Sequence, residues 1–211
     1  VSKALIIVDL QNDFMPGGAL AVPDGDKIIP LINRICSKFD LVIATRDWHP
    51  PNHISFAANH PGGHPGETIN IKGREQVLWP VHCVAGTHGA EFYPGFNTSY
   101  IDKIINKGVD PEIDNYSCFR DSPQMRNTEL LDYLQEHEVN EIYIAGLTTE
   151  YCVKFSSLDG VKYGYRTNVI IDACRGVGSA REINKAIDKM TGSGVNIITP
   201  GVLYKENSGR Q

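Results

Sequence analysis

The 211 residues are 41% apolar and carry a net charge of −5 from well-mixed acids and bases, enough apolar chain for one good core and no basic stripe to neutralise phosphates. No apolar run approaches the roughly 20 residues that cross a bilayer, and the opening residues lack the basic-then-apolar order of a secretory signal. Five cysteines (Cys36, Cys83, Cys118, Cys152 and Cys174) without paired spacing argue against an extracellular disulfide framework. The expectation is one domain over residues 1–211, cytoplasmic, with free thiols and with neither nucleic acid nor membrane as a partner.

Ala4 to Val8 is a continuous run of branched apolar residues, which suits a strand covered on both faces and ending at the polar Asp9. After the turn at Pro16-Gly17-Gly18, Asp24 reads as the cap of a helix whose apolar face holds Ile28, Leu31, Ile32 and Ile35. Leu41 to Thr45 is a second strand. From Arg46 to about Tyr100 the pattern dissolves into Pro, Gly, His and Asn, and a loop of that length inside a compact domain points to function.

Ile101 to Ile105 reads as a strand, Thr128 to His137 as a helix, Glu141 to Ala145 as a strand and Thr149 to Lys162 as a helix. Val169 to Ile171 forms another strand core, Ser179-x-x-Glu182 is a capping box opening a helix to Met190, and Val195 to Ile198 is the last strand. This alternation predicts an α/β fold, an open and mainly parallel six-stranded sheet with helices on both faces. Such sheets bind ligands beyond the carboxyl ends of their strands. The rule selects Asp9, the segments after Thr45 and after Ile105, and the turn from Gly146 to Cys152.

Three polar residues stand at those ends. Asp9 is either a turn-former or a carboxylate in a poorly hydrated pocket, where a raised pKa would make it a base. Cys152, in GLTTEYC, falls in the first turn of a helix, where free amides and the helix dipole favour a thiolate and can hold an oxyanion; the alternative is a small core residue. Lys107, before Gly108, is either a surface lysine or the ammonium partner of the other two.

Asp47, His49 and His53 occur as D-W-H-P-P-N-H just past the second strand, and His82 occurs in W-P-V-H-C. Residues two apart in extended chain project to one side, so Asp47 and His49 can grip one ion, and a distant histidine can complete the face. A carboxylate with two imidazoles suits zinc, iron or manganese and leaves coordination positions open. Cys83 competes with His82, but adjacent residues point oppositely, and His82 is favoured. His60 and His64 read as solvated loop residues, and His88 and His137 as structural or surface residues. There is no P-loop, no G-x-S-x-G elbow, and Gly176-x-Gly178 is followed by Arg181 instead of a third glycine, so no nucleotide cofactor is expected.

In the segments IIVDLQNDF (6–14), PGGAL (16–20), TRDWHPPNHISF (45–56), WPVHCVAGTHGAEF (79–92), INKG (105–108) and IAGLTTEYCV (144–153), the chain resembles the nicotinamidase branch of the isochorismatase-like cysteine hydrolases. The resemblance implies hydrolysis of nicotinamide to nicotinic acid and ammonia, with pyrazinamide as a second substrate. It implies a triad of Asp9, Lys107 and Cys152, and one divalent metal, zinc first with iron or manganese admitted, on Asp47, His49 and His82. His53 would stand close by, as a ligand or through a water. It also implies a cis peptide between Leu147 and Thr148, an oxyanion hole from the amides of Thr148 and Cys152, and substrate walls from Phe14, Trp79, Tyr116 and Leu147. A homo-oligomer is compatible with all of this. The family often has Ala or Val at the position of Thr148.

Overall fold

A computed structural model of the chain describes residues 2–120 and 128–205. In chain order its elements are β1 (Ser2–Val8), α1 (Ile29–Cys36), β2 (Leu41–Asp47), β3 (Thr68–Ile71), β4 (Arg74–Val77), β5 (Lys103–Lys107), α2 (Glu129–Glu136), β6 (Val139–Leu147), α3 (Lys154–Lys162), β7 (Arg166–Arg175), α4 (Ala180–Gly192), β8 (Asn196–Ile198) and α5 (Gly201–Lys205). Six strands pair in the order β5-β2-β1-β6-β7-β8, all parallel, as the alternation of elements predicts.

Ala4 to Val8 are wholly buried because β1 lies inside the sheet with a helical layer on each side. Leu5 and Ile7 pack with Ile29, Ile32 and Ile35 of α1, whereas Ala4, Ile6 and Val8 pack with Leu130 and Leu134 of α2 and Met190 of α4. The strand order reverses between β1 and β6, and the crevice above that switch point is where such sheets take ligands.

Several boundaries differ from those the sequence predicts. Asp24 caps no helix: its backbone is left-handed (φ 57°), its carboxylate pairs with Lys27 at 2.7 Å, and a 3₁₀ turn over Gly25–Ile28 leads into α1. Pro30 stands at the start of α1, where its fixed φ and missing N–H cost nothing. β5 begins two residues later than expected and ends on Lys107 itself. Ile101 and Asp102 are spent on its approach, where the Asp102 carboxylate accepts the Val42 N–H at 2.8 Å. The helix expected from Thr149 opens as a π-turn (Thr149–Val153) before α3.

The segment from 46 to 100 is not structureless. It contains the β3–β4 hairpin, closed by Lys72-Gly73 with φ of 52° and 82°, the left-handed pair that a two-residue turn of type I′ needs. The hairpin's strands are only four residues each, and the Ile69/Ile71 alternation in the first is too short to stand out from the loop around it. α5 was likewise too short to read. No helix among the described residues is long and apolar enough to cross a membrane.

Candidate active site

β2 and β5 are neighbours in register, with Asp47 opposite Lys107 at their ends. The Lys107 ammonium is fully buried and has three partners: Asp9 Oδ2 at 2.8 Å, Cys152 Sγ at 3.3 Å, and Asp47 Oδ1 in a short ion pair. The ammonium donates hydrogen bonds to Asp47 and Cys152 and pairs with Asp9 by charge, so this one lysine ties three functional groups together. The Thr45 hydroxyl holds the other Asp9 oxygen at 2.6 Å, and Asp9 turns with φ 54° where the chain leaves β1. Lys107 is therefore no surface residue.

The two carboxylates around Lys107 differ. Burial pushes Asp9 above the ordinary carboxylate range, and Lys107 only partly offsets it, so Asp9 is the more basic group. Burial acts on Asp47 too, but Lys107 and His49 overcome it and hold Asp47 well below the usual range. Burial, opposed by Lys107 and reinforced by Asp9, pushes the Cys152 thiol well above its ordinary value. Desolvation and the two neighbouring carboxylates thus work against the thiolate expected at this turn, while the Lys107 ammonium works for it.

Asp47 also faces the histidines. Its Oδ2 lies 3.7 Å from His49 Nε2 and 3.9 Å from His82 Nε2. The opposite ring atoms are committed: His49 Nδ1 donates to the Gly108 carbonyl at 2.8 Å and His82 Nδ1 to the Pro80 carbonyl at 2.7 Å. A carbonyl only accepts, so Nδ1 carries a hydrogen in each ring, and Nε2 is the atom turned toward Asp47, available to an ion once it is unprotonated. These three buried side chains offer ligand atoms within 4.8 Å of one another, a donor set that fits one divalent ion. A Cβ on Gly108 would sit 2.4 Å from the His49 ring, so the glycine lets this backbone reach the imidazole.

His82 arrives because the segment 79–85 lies along the segment 49–57. The Trp79 N–H donates to Ser55 O at 2.7 Å, the His49 N–H to Cys83 O at 3.0 Å and the Ala85 N–H to His49 O at 2.8 Å. Cys83 turns away into the core, as adjacency requires. His53 stands outside the three-residue group. Its ring packs against His49 with centroids 4.2 Å apart, and its nitrogens meet Ser55 Oγ at 2.8 Å and Ile113 O at 3.2 Å, so it ties two loops together. His60, expected to be solvated, is half-buried with Nε2 on the Ile54 carbonyl at 2.7 Å, whereas His64, His88 and His137 are exposed.

A pocket opens over Cys152, Thr148, Asp47, His49 and His82, walled by Phe14, Trp79 and Tyr116. Trp79 Nε1 donates to the Tyr116 hydroxyl at 3.0 Å, and both rings pack on Tyr151 at 5.1 Å. The Leu147–Thr148 peptide is cis. Leu147 itself does not line the pocket. It continues the alternation of β6, and with Tyr143 and Ala145 it points into the α1 side of the core.

Sequence reasoning missed Gln11, whose side-chain oxygen accepts the Asp47 N–H at 2.8 Å while its amide donates to the carbonyls of Asp47 at 2.8 Å and Ala90 at 2.9 Å. Gln11 is wholly buried three residues past the end of β1, and the signal the sequence held was an amide close behind Asp9 at a strand end. Tyr151, Asp114, Asn115 and Val177 also line the pocket; Tyr151 adjoins Cys152 in sequence, while nothing in the pattern marks the other three.

Residues 3–200 match the isochorismatase domain. A nicotinamidase of Acinetobacter baylyi is 44% identical to this chain, covering 93% of it and 92% of the relative. A solved nicotinamidase/pyrazinamidase of Acinetobacter baumanii superposes with a TM-score of 0.92 at 46% identity, over 96% of this chain and 98% of that one. A pyrazinamidase of Pyrococcus horikoshii, solved in complex with zinc, does so with a TM-score of 0.77 at 39% identity, over 94% of this chain and 99% of that one. With β1, β2, β5 and β6 delivering these residues to one crevice and relatives matching over nearly the whole length, the chain belongs to the isochorismatase domain family.

Proposed function

We propose that this protein is a nicotinamidase, a cysteine hydrolase that converts nicotinamide and water to nicotinic acid and ammonia, with pyrazinamide as a second substrate and nicotinate supplied to pyridine-nucleotide salvage. One observation carries the reading. A single buried ammonium bonds Cys152, the basic Asp9 and the acidic Asp47, and Asp47 in turn faces two imidazoles whose free nitrogens converge. The nicotinamidase relatives support the choice of substrate.

Asp9 takes the Cys152 proton as the sulfur attacks the carboxamide carbon and a carbon–sulfur bond forms. The developing oxyanion accepts hydrogen bonds from the Thr148 and Cys152 amides. The carbon–nitrogen bond breaks as Asp9 returns the proton to the leaving nitrogen, releasing ammonia and leaving a thioester. Asp9 then takes a proton from water, whose oxygen displaces the sulfur, and the proton returns to Cys152 as nicotinic acid leaves. Lys107 keeps its charge throughout and holds Asp9, Cys152 and Asp47 in fixed register. Phe14, Trp79 and Tyr116 flank the flat ring.

A divalent ion on Asp47, His49 and His82, zinc in our reading and in keeping with the zinc-bearing pyrazinamidase, would supply a Lewis acid to anchor the ring nitrogen. The five cysteines, all unpaired, suit a reducing, cytoplasmic setting.

The test is ammonia release from nicotinamide and pyrazinamide, with metal content measured on the same sample before and after a chelator. Turnover of nicotinamide with about one ion per chain, lost on chelation and restored by zinc, is expected. A protein inert toward both amides would refute the function, and full activity without metal would refute the role given to the ion.

A further inference from the structure

Glu150 lies two residues before Cys152 in the π-turn, is 6% exposed, and takes no part in the chemistry above. Its carboxylate reaches away from the reacting atoms to the loop between β7 and α4. There Oε1 accepts the Val177 N–H at 2.8 Å and also the Gly178 N–H. That loop is shaped for it: a Cβ on Gly176 would lie 2.5 Å from Oε2, and one on Gly178 would lie 3.0 Å from Oε1. Past the loop, α4 is fixed by the capping box of Ser179 and Glu182. Between these anchors stands Val177, whose half-buried side chain lines the same pocket as Cys152, Thr148 and Tyr151.

Burying a carboxyl group is costly unless it is hydrogen-bonded; here Oε1 takes two backbone amides of one short loop, while Oε2 is buried without a partner. We infer that Glu150 is a positioning residue that clamps the Val177 wall to the nucleophile's turn, and so sets how closely the ring edge of the substrate is gripped. This rests on the proposed amide hydrolysis. Losing the clamp lets Val177 drift, which weakens ring binding and relaxes discrimination against bulkier rings. The bond-making groups on Asp9, Lys107 and Cys152 stay where they are.

The experiment compares the metal-replete wild type with Glu150→Ala, Glu150→Gln and Val177→Ala, using nicotinamide and 5-methylnicotinamide. Losing one such buried acceptor is expected to raise the Glu150→Ala KM for nicotinamide about tenfold, with kcat within about threefold. Its preference for nicotinamide over the methylated ring should fall by a similar factor. Glu150→Gln keeps an oxygen for the two amides and should stay within about threefold of wild type. Val177→Ala should reproduce the loss of preference without disturbing Glu150.

Amide hydrogen exchange at 177 and 178 should quicken in Glu150→Ala and not in Glu150→Gln. Unchanged KM and preference in a folded Glu150→Ala would overturn the inference, as would a Glu150→Gln variant as impaired as Glu150→Ala. Should Glu150→Ala not fold, an unchanged preference in Val177→Ala would overturn it instead, and a relaxed one would sustain it. If the wild type released no ammonia, the proposed function would fall, while the exchange rates would still decide whether Glu150 holds the loop.

Discussion

The site is assembled from two kinds of structure. Asp9, Lys107 and Cys152 stand at or just past the ends of β1, β5 and β6, which are locked in place by a ladder of parallel pairing and by core on both faces. His49 and His82 stand on irregular chain between 48 and 85, held by single backbone hydrogen bonds and by the Asp13 carboxylate, which accepts the Cys83 N–H, while Gln11 holds Asp47 beside them. The difference teaches that the reacting groups inherit their precision from the sheet, whereas the metal-binding half must be held residue by residue. Lys107 and Asp47 are the seam between them.

Breaking the seam should have the largest effect. Lys107→Met removes the cation shared by two buried carboxylates and the sulfur, so activity should fall about a thousandfold or more. The variant should also lose about 3–5 kcal/mol of stability, since a broken buried pair leaves uncompensated charge; a urea titration beside the kinetic assay checks both. A Met variant of wild-type stability would show that Lys107 does not bind the halves together.

His49→Ala should damage only one half. Bound metal is expected to fall at least tenfold on mass-spectrometric metal analysis, with nicotinamide binding weakened, while the melting temperature moves little because the sheet is untouched. Full metal content would refute His49 as a ligand. Gln11→Ala comes next: it touches neither metal nor substrate, but frees the backbone of Asp47, and a loss of about tenfold in metal affinity is expected from such outer partners. Equal affinity in a metal-competition titration would limit Gln11 to packing.

The smallest effect belongs to the hairpin tip. Gly73→Ala meets nothing within 4 Å but must adopt a φ near 82°, which costs about 1–2 kcal/mol in an L residue. Turnover should stay within about twofold. A large loss of activity there would mean that the loop segment is as tightly coupled to the chemistry as the sheet.

The same contrast explains what could be read in advance. The apolar run of β1 and the helical spacing of α1 repeat one instruction several times, so the parallel sheet and the places where Asp9 and Cys152 emerge were legible. The pairing of the segment 79–85 with the segment 49–57 rests on four isolated backbone hydrogen bonds that leave no periodic trace. His82 could be chosen over Cys83 only because neighbours point oppositely. Leu147 shows the opposite failure. A resemblance placed it at the substrate, but strand alternation, visible in Tyr143, Ala145 and Leu147, sends it to the core. The upward push on the Cys152 thiol was not legible either, because it depends on how much water the fold excludes.

Cys152→Ala, purified with its metal, tests the account most directly by ammonia release from nicotinamide. The account predicts metal content equal to wild type and turnover reduced at least about a thousandfold, the scale of losing a covalent nucleophile. Substantial turnover by that metal-loaded variant would contradict it and move the chemistry off the sulfur.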